Sequence, residues 1–292
     1  MSLGPHLLLA FLEGSVSAFV LALTALGLSL VFGVMRVVNV AHGEFFMLGA
    51  VLASAFSALA GDHTTLGFLL AIIGSPLIVG AVAVAADRLV LQRLDYQPEA
   101  TIVATIGLLY IIQQATLMTY GPDAHAVAPL VDFRVRFPWF GYSGYKLVVM
   151  AVAALLLLAT WYGITRTKFG LIMRATQFDR ETATAFGVPV DRVYAAVFAL
   201  GAMLAAVAGV LVVPIRQAHY LMGLDPLLQS FIVVIIGGLG SLRGTLIAAF
   251  IIGISDGMVS VFFAPTLGKI LATLLVALVL VWRPGGLFGA KA

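Results

Sequence analysis

The chain has 292 residues, 62% of them hydrophobic and 10% charged, with sixteen Lys and Arg against thirteen Asp and Glu and a mean hydropathy of +1.12. Soluble domains carry about 25% charged residues, so this composition excludes a water-soluble enzyme, for which it supplies too little polar surface. The net charge of +3 comes from short scattered clusters without interleaved aromatics, which points to membrane topology and not to nucleic acid, and the absence of cysteine removes disulfides and thiolate chemistry.

The pattern predicts an all-α polytopic membrane protein: a single transmembrane domain over residues 1–292 with about eight or nine transmembrane or half-membrane helices. Crossing about 30 Å of hydrocarbon takes roughly 20 apolar residues. The first charge-free run is Gly14 to Met35, which lacks the basic flank of a cleavable signal and is expected to stay in the mature chain. A shorter run, Phe45 to Ala60, follows an interruption; Thr64 to Ala86 comes next, then Ala100 to Pro122, Leu147 to Thr165 and Val193 to Ile215. Leu227 to Leu242 and Thr245 to Phe263 flank a second interruption, and Ile270 to Trp282 makes a last short span with Pro265 to Lys269 as its turn. The runs are continuously apolar, which excludes the alternating strands of a barrel.

Basic residues set the orientation. Arg88 and Arg93, the five of the loop at 166–192, and Arg283 with Lys291 are expected to face the cytoplasm; the loop at 121–145, with Trp139, Phe140, Tyr142 and Tyr145, is expected outside.

The two interruptions are Val34 to Gly43 and Ile236 to Thr245. Each joins apolar segments through an Arg and a Gly-containing break, the pattern of discontinuous helices beside a solute path. Gly237, Gly238, Gly240 and Gly244 alone would read as close-packing devices, like Gly201, Ala205 and Gly209. Their polar neighbours argue otherwise: Asn39, His42 and Glu44 on one side and Ser241 and Arg243 on the other are the candidate path residues, because burying such groups is costly unless they are paired or line a wet cavity. One His and one Glu are too few for a metal site, since His6, His63, His125 and His219 lie elsewhere. Glu13 and Asp256 read as helix caps or headgroup-level residues.

In the loop at 166–192, Asp179 is placed to cap a short helix that Gly187 stops and Pro189 bars from continuing. Two turns of helix are marginal in water, so this one is expected to dock, presenting Ala183, Phe186 and its basic side chains to a soluble surface.

Several stretches together resemble one family: Val31 to Ala50 with its Asn-Val-Ala-His-Gly-Glu-Phe core, Thr105-Ile-Gly107, the loop from Arg174 to Arg192, Gly237-Gly-Leu-Gly-Ser241 and the closing Arg283-Pro-Gly-Gly-Leu-Phe-Gly289. Over nearly the whole chain they are similar to the branched-chain amino acid permeases of ATP-binding cassette importers, the first of the two paired permease subunits. The resemblance implies a second permease subunit, two cytoplasmic ATP-binding subunits and an extracytoplasmic solute-binding protein as partners, with membrane lipid and no nucleic acid. It implies a multi-pass place in a bacterial cytoplasmic (inner) membrane and no cofactor of the chain's own, ATP being bound by the partners. The coupling element would be Asp179, Arg180, Glu181, Ala183, Phe186 and Gly187. Of these, Glu181, Ala183 and Gly187 match part of the Glu-Ala-Ala-x-x-x-Gly loop of import permeases; Thr182 replaces its middle alanine and no Ile-x-Leu-Pro ending follows.

The chain carries no phosphate-cradling Gly-x-x-x-x-Gly-Lys-Ser/Thr loop: its Gly268-Lys269 pair precedes Ile270. No catalytic residues are assigned, since no catalytic constellation is present. The expected solute is a branched-chain or related amino acid; the alternatives are urea or a short amide within the same family, or an ion-coupled carrier using Glu44 or Asp256.

Overall fold

Apolar segments in hydrocarbon find no water to bond their amides, so each closes its hydrogen bonds inside a helix. The computed structural model describes residues 3–61, 64–263, 265–283 and 286–287. In chain order the elements are α1 (Leu3–Met35), α2 (His42–Ala60), α3 (Thr64–Ala86), α4 (Pro98–Tyr120), β1 (Arg134–Arg136), β2 (Gly141–Ser143), α5 (Gly144–Arg166), α6 (Lys168–Phe178), α7 (Arg180–Ala185), α8 (Val190–Val212), α9 (Leu224–Gly237), α10 (Leu242–Phe262) and α11 (Pro265–Trp282). Among the described residues, seven helices are long and apolar enough to cross a membrane, and α9 and α11 are shorter apolar helices.

The bundle has two distinguishable ends. At the basic end lie the C-terminus of α1, the α3–α4 turn, α6, α7 and the start of α8. There Arg180 reaches 3.3 Å from Asp95 and sits over the rings of Tyr96 and Tyr194 at 5.9 and 5.6 Å. At the opposite end the loop after α4 folds into an antiparallel hairpin, with Arg134 opposite Ser143, and bridges to the chain after α8 through His125 and Ala218. The tail returns to the basic end, where the Leu287 amide donates to the Ile236 carbonyl at 2.8 Å.

The core is α1 packed between α8 and α10 through small residues. A Cβ on Gly27 would meet the Gly201 carbonyl at 2.5 Å, and one on Gly14 would meet Ile254 Cα at 2.8 Å. Backbones that approach this closely give helices in lipid their van der Waals contact. Large apolar side chains on the outer helices, such as Ile73, Ile111 and Leu158, are exposed, as a lipid-facing surface requires.

Four features differ from the sequence expectation. Helix α1 starts at Leu3, ahead of the charge-free run that begins at Gly14, and carries Glu13 within it, paired with Lys146 at 2.6 Å. The loop at 166–192 holds two helices, α6 before the capped α7; the Thr167 hydroxyl caps α6 by accepting from the Gly170 amide at 3.1 Å. The loop at 121–145 contains the hairpin. Pro265 to Lys269 is the first part of α11 and not a turn, since a proline at the start of a helix has no amide proton to orphan. Of the closing motif, Pro284, Gly285, Phe288 and Gly289 lie outside the described residues, as do His63 and Lys291.

Candidate functional site

The first interruption carries the chain back into the bundle. Helix α1 stops at Met35, Arg36 takes a positive φ of 56°, and the segment to Ala41 is non-helical and largely buried. At its end the His42 ring nitrogen Nε2 lies 2.9 Å from the carbonyl of Thr24. Thr24 is about 16 Å back from Met35 along α1 at 1.5 Å per residue, so α2 begins near the middle of the bundle. Backbone there has no water to satisfy it. The Asn39 side chain accepts the Ala41 amide at 3.1 Å, and Thr105 of α4 accepts the Val40 amide at 3.2 Å with its hydroxyl 3.4 Å from the Val38 carbonyl.

Helix α9 begins at the same place. A Cβ on Gly43 would overlap the Gly223 carbonyl and lie 2.7 Å from Leu227 Cβ. The N-termini of α2 and α9 therefore abut inside the bundle, and α9, about 21 Å long at its 14 residues, runs from there to the basic end. Two positive helix ends meet where the first turn of α2 carries Glu44. Asn39 is 1% exposed and His42 and Glu44 are 0% exposed; among the described residues the Glu44 carboxylate oxygens and His42 Nδ1 have no hydrogen-bond partner.

The second interruption lies at the basic end. Gly238 and Gly240 take φ of 100° and 78°, and Ser241 caps α10 by accepting the Gly244 amide at 3.2 Å. The turn packs on the end of α1, with Gly33 against Gly240, and Gln177 of α6 lies 3.5 Å from the Gly240 carbonyl. Arg243 is exposed and stacks its guanidinium 5.8 Å from the Trp161 ring of α5. The structure thus separates the two residue sets: Asn39, His42 and Glu44 sit at mid-depth, Ser241 and Arg243 at the basic end. Between them the Thr245 hydroxyl lies 2.9 Å from Ser29 Oγ, joining α10 to α1.

Hollows open toward the hairpin end above the mid-depth meeting point. One of about 130 Å³ is bounded by Thr24, Phe46, Glu13, Lys146, Arg216 and Asp256 among others. A second of about 260 Å³ shares Phe46, Val212, Arg216 and Pro226 with it. A third of about 90 Å³ shares Ser17, Leu21, Gln229 and Asp256 with the first and reaches Asp225 and Lys269, which pair at 2.7 Å. Sequence reasoning passed over Arg216, Lys146 and Gln229. Gln229 gave a usable signal as an amide inside an apolar run; Arg216 gave none, because the return of the chain after Val212 has no local signature.

At the basic end Asp179 caps α7, accepting from the Glu181 and Thr182 amides at 3.0 and 3.1 Å. The Thr182 hydroxyl, 2.5 Å away, and the Thr182 amide hold its carboxyl below the usual carboxylate range. Ala183 is buried against the chain itself while Phe186 is 86% exposed, so of the two apolar residues expected to face a partner, Phe186 alone reaches outward. Beside α7 lies a hollow of about 560 Å³ lined by Arg88, Arg180, Asp191 and Arg192 among others.

The description of branched-chain amino acid transport system permease components matches residues 10–280. The high-affinity branched-chain amino acid transport system permease protein LivH of Escherichia coli K12 is 29% identical over 286 residues, covering 92% of this chain and 91% of LivH. BraD of Pseudomonas aeruginosa, described in the same terms, is 25% identical over 295 residues, covering 97% and 96%. A probable branched-chain amino acid transport permease protein LivH of Methanocaldococcus jannaschii is 28% identical over 291 residues, covering 95% and 91%.

Proposed function

We propose, because the chain belongs to the branched-chain amino acid transport system permease family, that it is the membrane subunit of an ATP-binding cassette importer that moves branched-chain or related amino acids into the cell. The observation that carries this reading is the family match over residues 10–280. The partners are a second permease subunit, two cytoplasmic ATP-binding subunits that hydrolyse ATP, and an extracytoplasmic solute-binding protein. The chain itself needs no cofactor. The basic end faces the cytoplasm and the hairpin end the outside, as the concentration of Arg and Lys beside α6 and α7 supports. The setting is a cytoplasmic membrane.

The route runs from the outer hollows past the meeting point of α2 and α9, where Asn39, His42 and Glu44 lie, to Ser241 and Arg243 at the cytoplasmic side. On this reading the His42–Thr24 and Thr245–Ser29 contacts lie along that route. Coupling to the ATPases falls to α7 with Asp179, Arg180, Glu181, Ala183, Phe186 and Gly187. Phe186 is the exposed anchor, while Arg180 ties α7 to the α3–α4 turn.

The test is reconstitution. The chain with the four partner subunits in proteoliposomes should accumulate L-leucine only with ATP and the binding protein. Accumulation by the chain alone under a proton or sodium gradient would replace this reading with an ion-coupled carrier.

A further inference from the structure

The hollow of about 560 Å³ at the basic end lies off the proposed route. Arg88 and Gln92 reach it from a single π-helical turn, Asp87–Leu91, that continues α3; Asp191 and Arg192 reach it from the first turn of α8, and Arg180 and Thr184 from one face of α7. Three guanidinium groups therefore share its wall with one carboxylate. Asp191 accepts from the Gln92 amide at 3.3 Å, and Arg180 is answered by Asp95, which lies outside the wall, at 3.3 Å. Asp87, next to Arg88 in the chain, is buried and accepts from the Tyr96 hydroxyl at 3.5 Å. Arg88 and Arg192 are exposed, and among the described residues neither makes a salt bridge within 4.0 Å.

The hollow lies at the level of the lipid headgroups. Helix α3 covers 23 residues, about 35 Å at 1.5 Å per residue, which exceeds the roughly 30 Å of hydrocarbon. Arg88 comes two residues after its last, and Arg192 directly precedes the charge-free run from Val193 to Ile215. An apolar strip leads to the same place. Ile78, Val82 and Leu89 are 43%, 37% and 59% exposed, with Ala81 and Ala85 exposed between them. Spacings of three and four put these residues on one helical face, and that face runs on into Arg88 and Gln92.

From this geometry we infer that the hollow is a headgroup site for an anionic phospholipid, its phosphate held by Arg88 and Arg192 and its acyl chains laid along the exposed strip of α3. Guanidinium meets phosphate with two parallel donors, and basic pockets between membrane helices on the cytoplasmic side take anionic headgroups. A headgroup of net negative charge answers both free cations, whereas a zwitterionic one adds a cation to a wall that already holds three. Free phosphate would satisfy the same arginines without using the strip. An acidic segment of an ATP-binding subunit would arrive from water and leave the strip unused, and Phe186, the anchor proposed for those subunits, is not part of the wall. Because Arg180 and Thr184 belong to α7, the bound lipid ties that helix to the ends of α3 and α8. The inference rests on the chain's place in a membrane and not on the solute it carries.

The experiment measures ligand-dependent thermal stabilisation of the purified, delipidated full chain in a neutral detergent with three probes. Dioctanoyl phosphatidylglycerol carries the net negative charge and the acyl chains, dioctanoyl phosphatidylcholine has the same chains and no net charge, and glycerol 3-phosphate has the phosphate without the chains. Phosphatidylglycerol should stabilise saturably, and each of the others should bind about tenfold more weakly or worse, the scale of one lost charge-assisted contact. This series uses the unaltered chain, so no variant has to fold for the inference to be tested. Arg88→Gln and Arg192→Gln should then each weaken phosphatidylglycerol about tenfold, toward the affinity of phosphatidylcholine. Arg93→Gln, at an exposed arginine of the same turn that does not line the hollow, should leave it as in the wild type. Equal affinity for the two lipids, or an equal loss in all three variants, overturns the site. Equal affinity for phosphatidylglycerol and glycerol 3-phosphate gives the arginines to a soluble phosphate and overturns the lipid. Association of the ATP-binding subunits in lipid-free detergent is measured alongside. Association weakened by Arg88→Gln or Arg192→Gln, in a chain that does not prefer phosphatidylglycerol, assigns the hollow to those subunits and overturns the inference.

Discussion

Thr105 offers a direct way to test whether α2 starts inside the bundle. Its hydroxyl accepts the Val40 amide at 3.2 Å and lies 3.4 Å from the Val38 carbonyl, so α4 completes the backbone bonding of a segment with neither helix nor water to do so. Thr105→Val keeps the branched shape and orphans that amide. Leaving one buried donor unmade costs about 1–3 kcal/mol. Side-chain bonds between membrane helices average nearer to about 0.6 kcal/mol, because polar groups there usually find another partner. The Val40 amide belongs to backbone pinned between Met35 and the start of α2 and cannot turn elsewhere, so the expected loss is about 2 kcal/mol. At about 2–4 °C per kcal/mol for a chain of this size class, the melting temperature of the detergent-solubilised chain should fall by about 4–8 °C. Thr105→Ser keeps the hydroxyl and loses one methyl, a change of about 1 kcal/mol or less, and should melt clearly above the valine variant. A valine variant that melts like wild type, or a serine variant that melts below it, would refute the hydrogen-bonding role.

Other changes probe separate parts of the proposal. Gly43→Ala places a methyl against the Gly223 carbonyl and Leu227 and should lose about 1–3 kcal/mol by overpacking, whereas Gly4→Ala, with nothing within 4 Å of the added carbon, should be neutral in the same melting assay. Phe186→Asp should weaken association with the ATPases about thirtyfold, as loss of an anchor worth about 2 kcal/mol does, without loss of membrane insertion; undiminished co-purification would rule out α7 as their docking element. In intact cells, a membrane-impermeant thiol reagent should label a cysteine introduced at Ala126 and spare one at Thr184, both exposed positions at opposite ends, and the reverse pattern would invert the topology. Asn39→Ala and Ser241→Ala should each lower L-leucine flux per assembled complex; flux that is unchanged in both would remove them from the route and leave the breaks as packing devices.

The sequence made the membrane class legible because apolar runs of span length have few other uses, and the cap and stop of α7 legible because Asp179 and Gly187 act within a few residues of themselves. The two breaks were legible as breaks, since Arg, Asn and Gly interrupt hydrophobic runs. Their depths were not. Whether six non-helical residues return into the bundle or lie along its surface depends on Thr24, Thr105 and Gly223, which are distant in sequence. The paired appearance of the two motifs therefore masks a difference: one ends at mid-depth beneath the outer cavity, the other turns at the basic end.

On the proposed function, the same contacts suggest how motion at α7 reaches the route. Helix α7 follows α6 with only Asp179 between them, and Gln177, two residues earlier, touches the Gly240 carbonyl in the α9–α10 turn. That turn rests on Gly33 near the end of α1, and Ser241 within it caps the helix whose Thr245 reaches Ser29. A displacement of α7 therefore acts first on the turn at the cytoplasmic end of α9. The other end of α9 abuts Gly43, so a tilt of this short helix would move both of its ends, shifting the Gly238–Ser241 turn below and loosening the Gly43–Gly223 contact above. A helix spanning the full bundle would resist such a tilt along twice the packed length. A helix that starts at mid-depth can pivot, and that is the physical reason to place the gate at α9 and not at the long helices α1, α8 and α10, whose close-packed glycines fix them to one another.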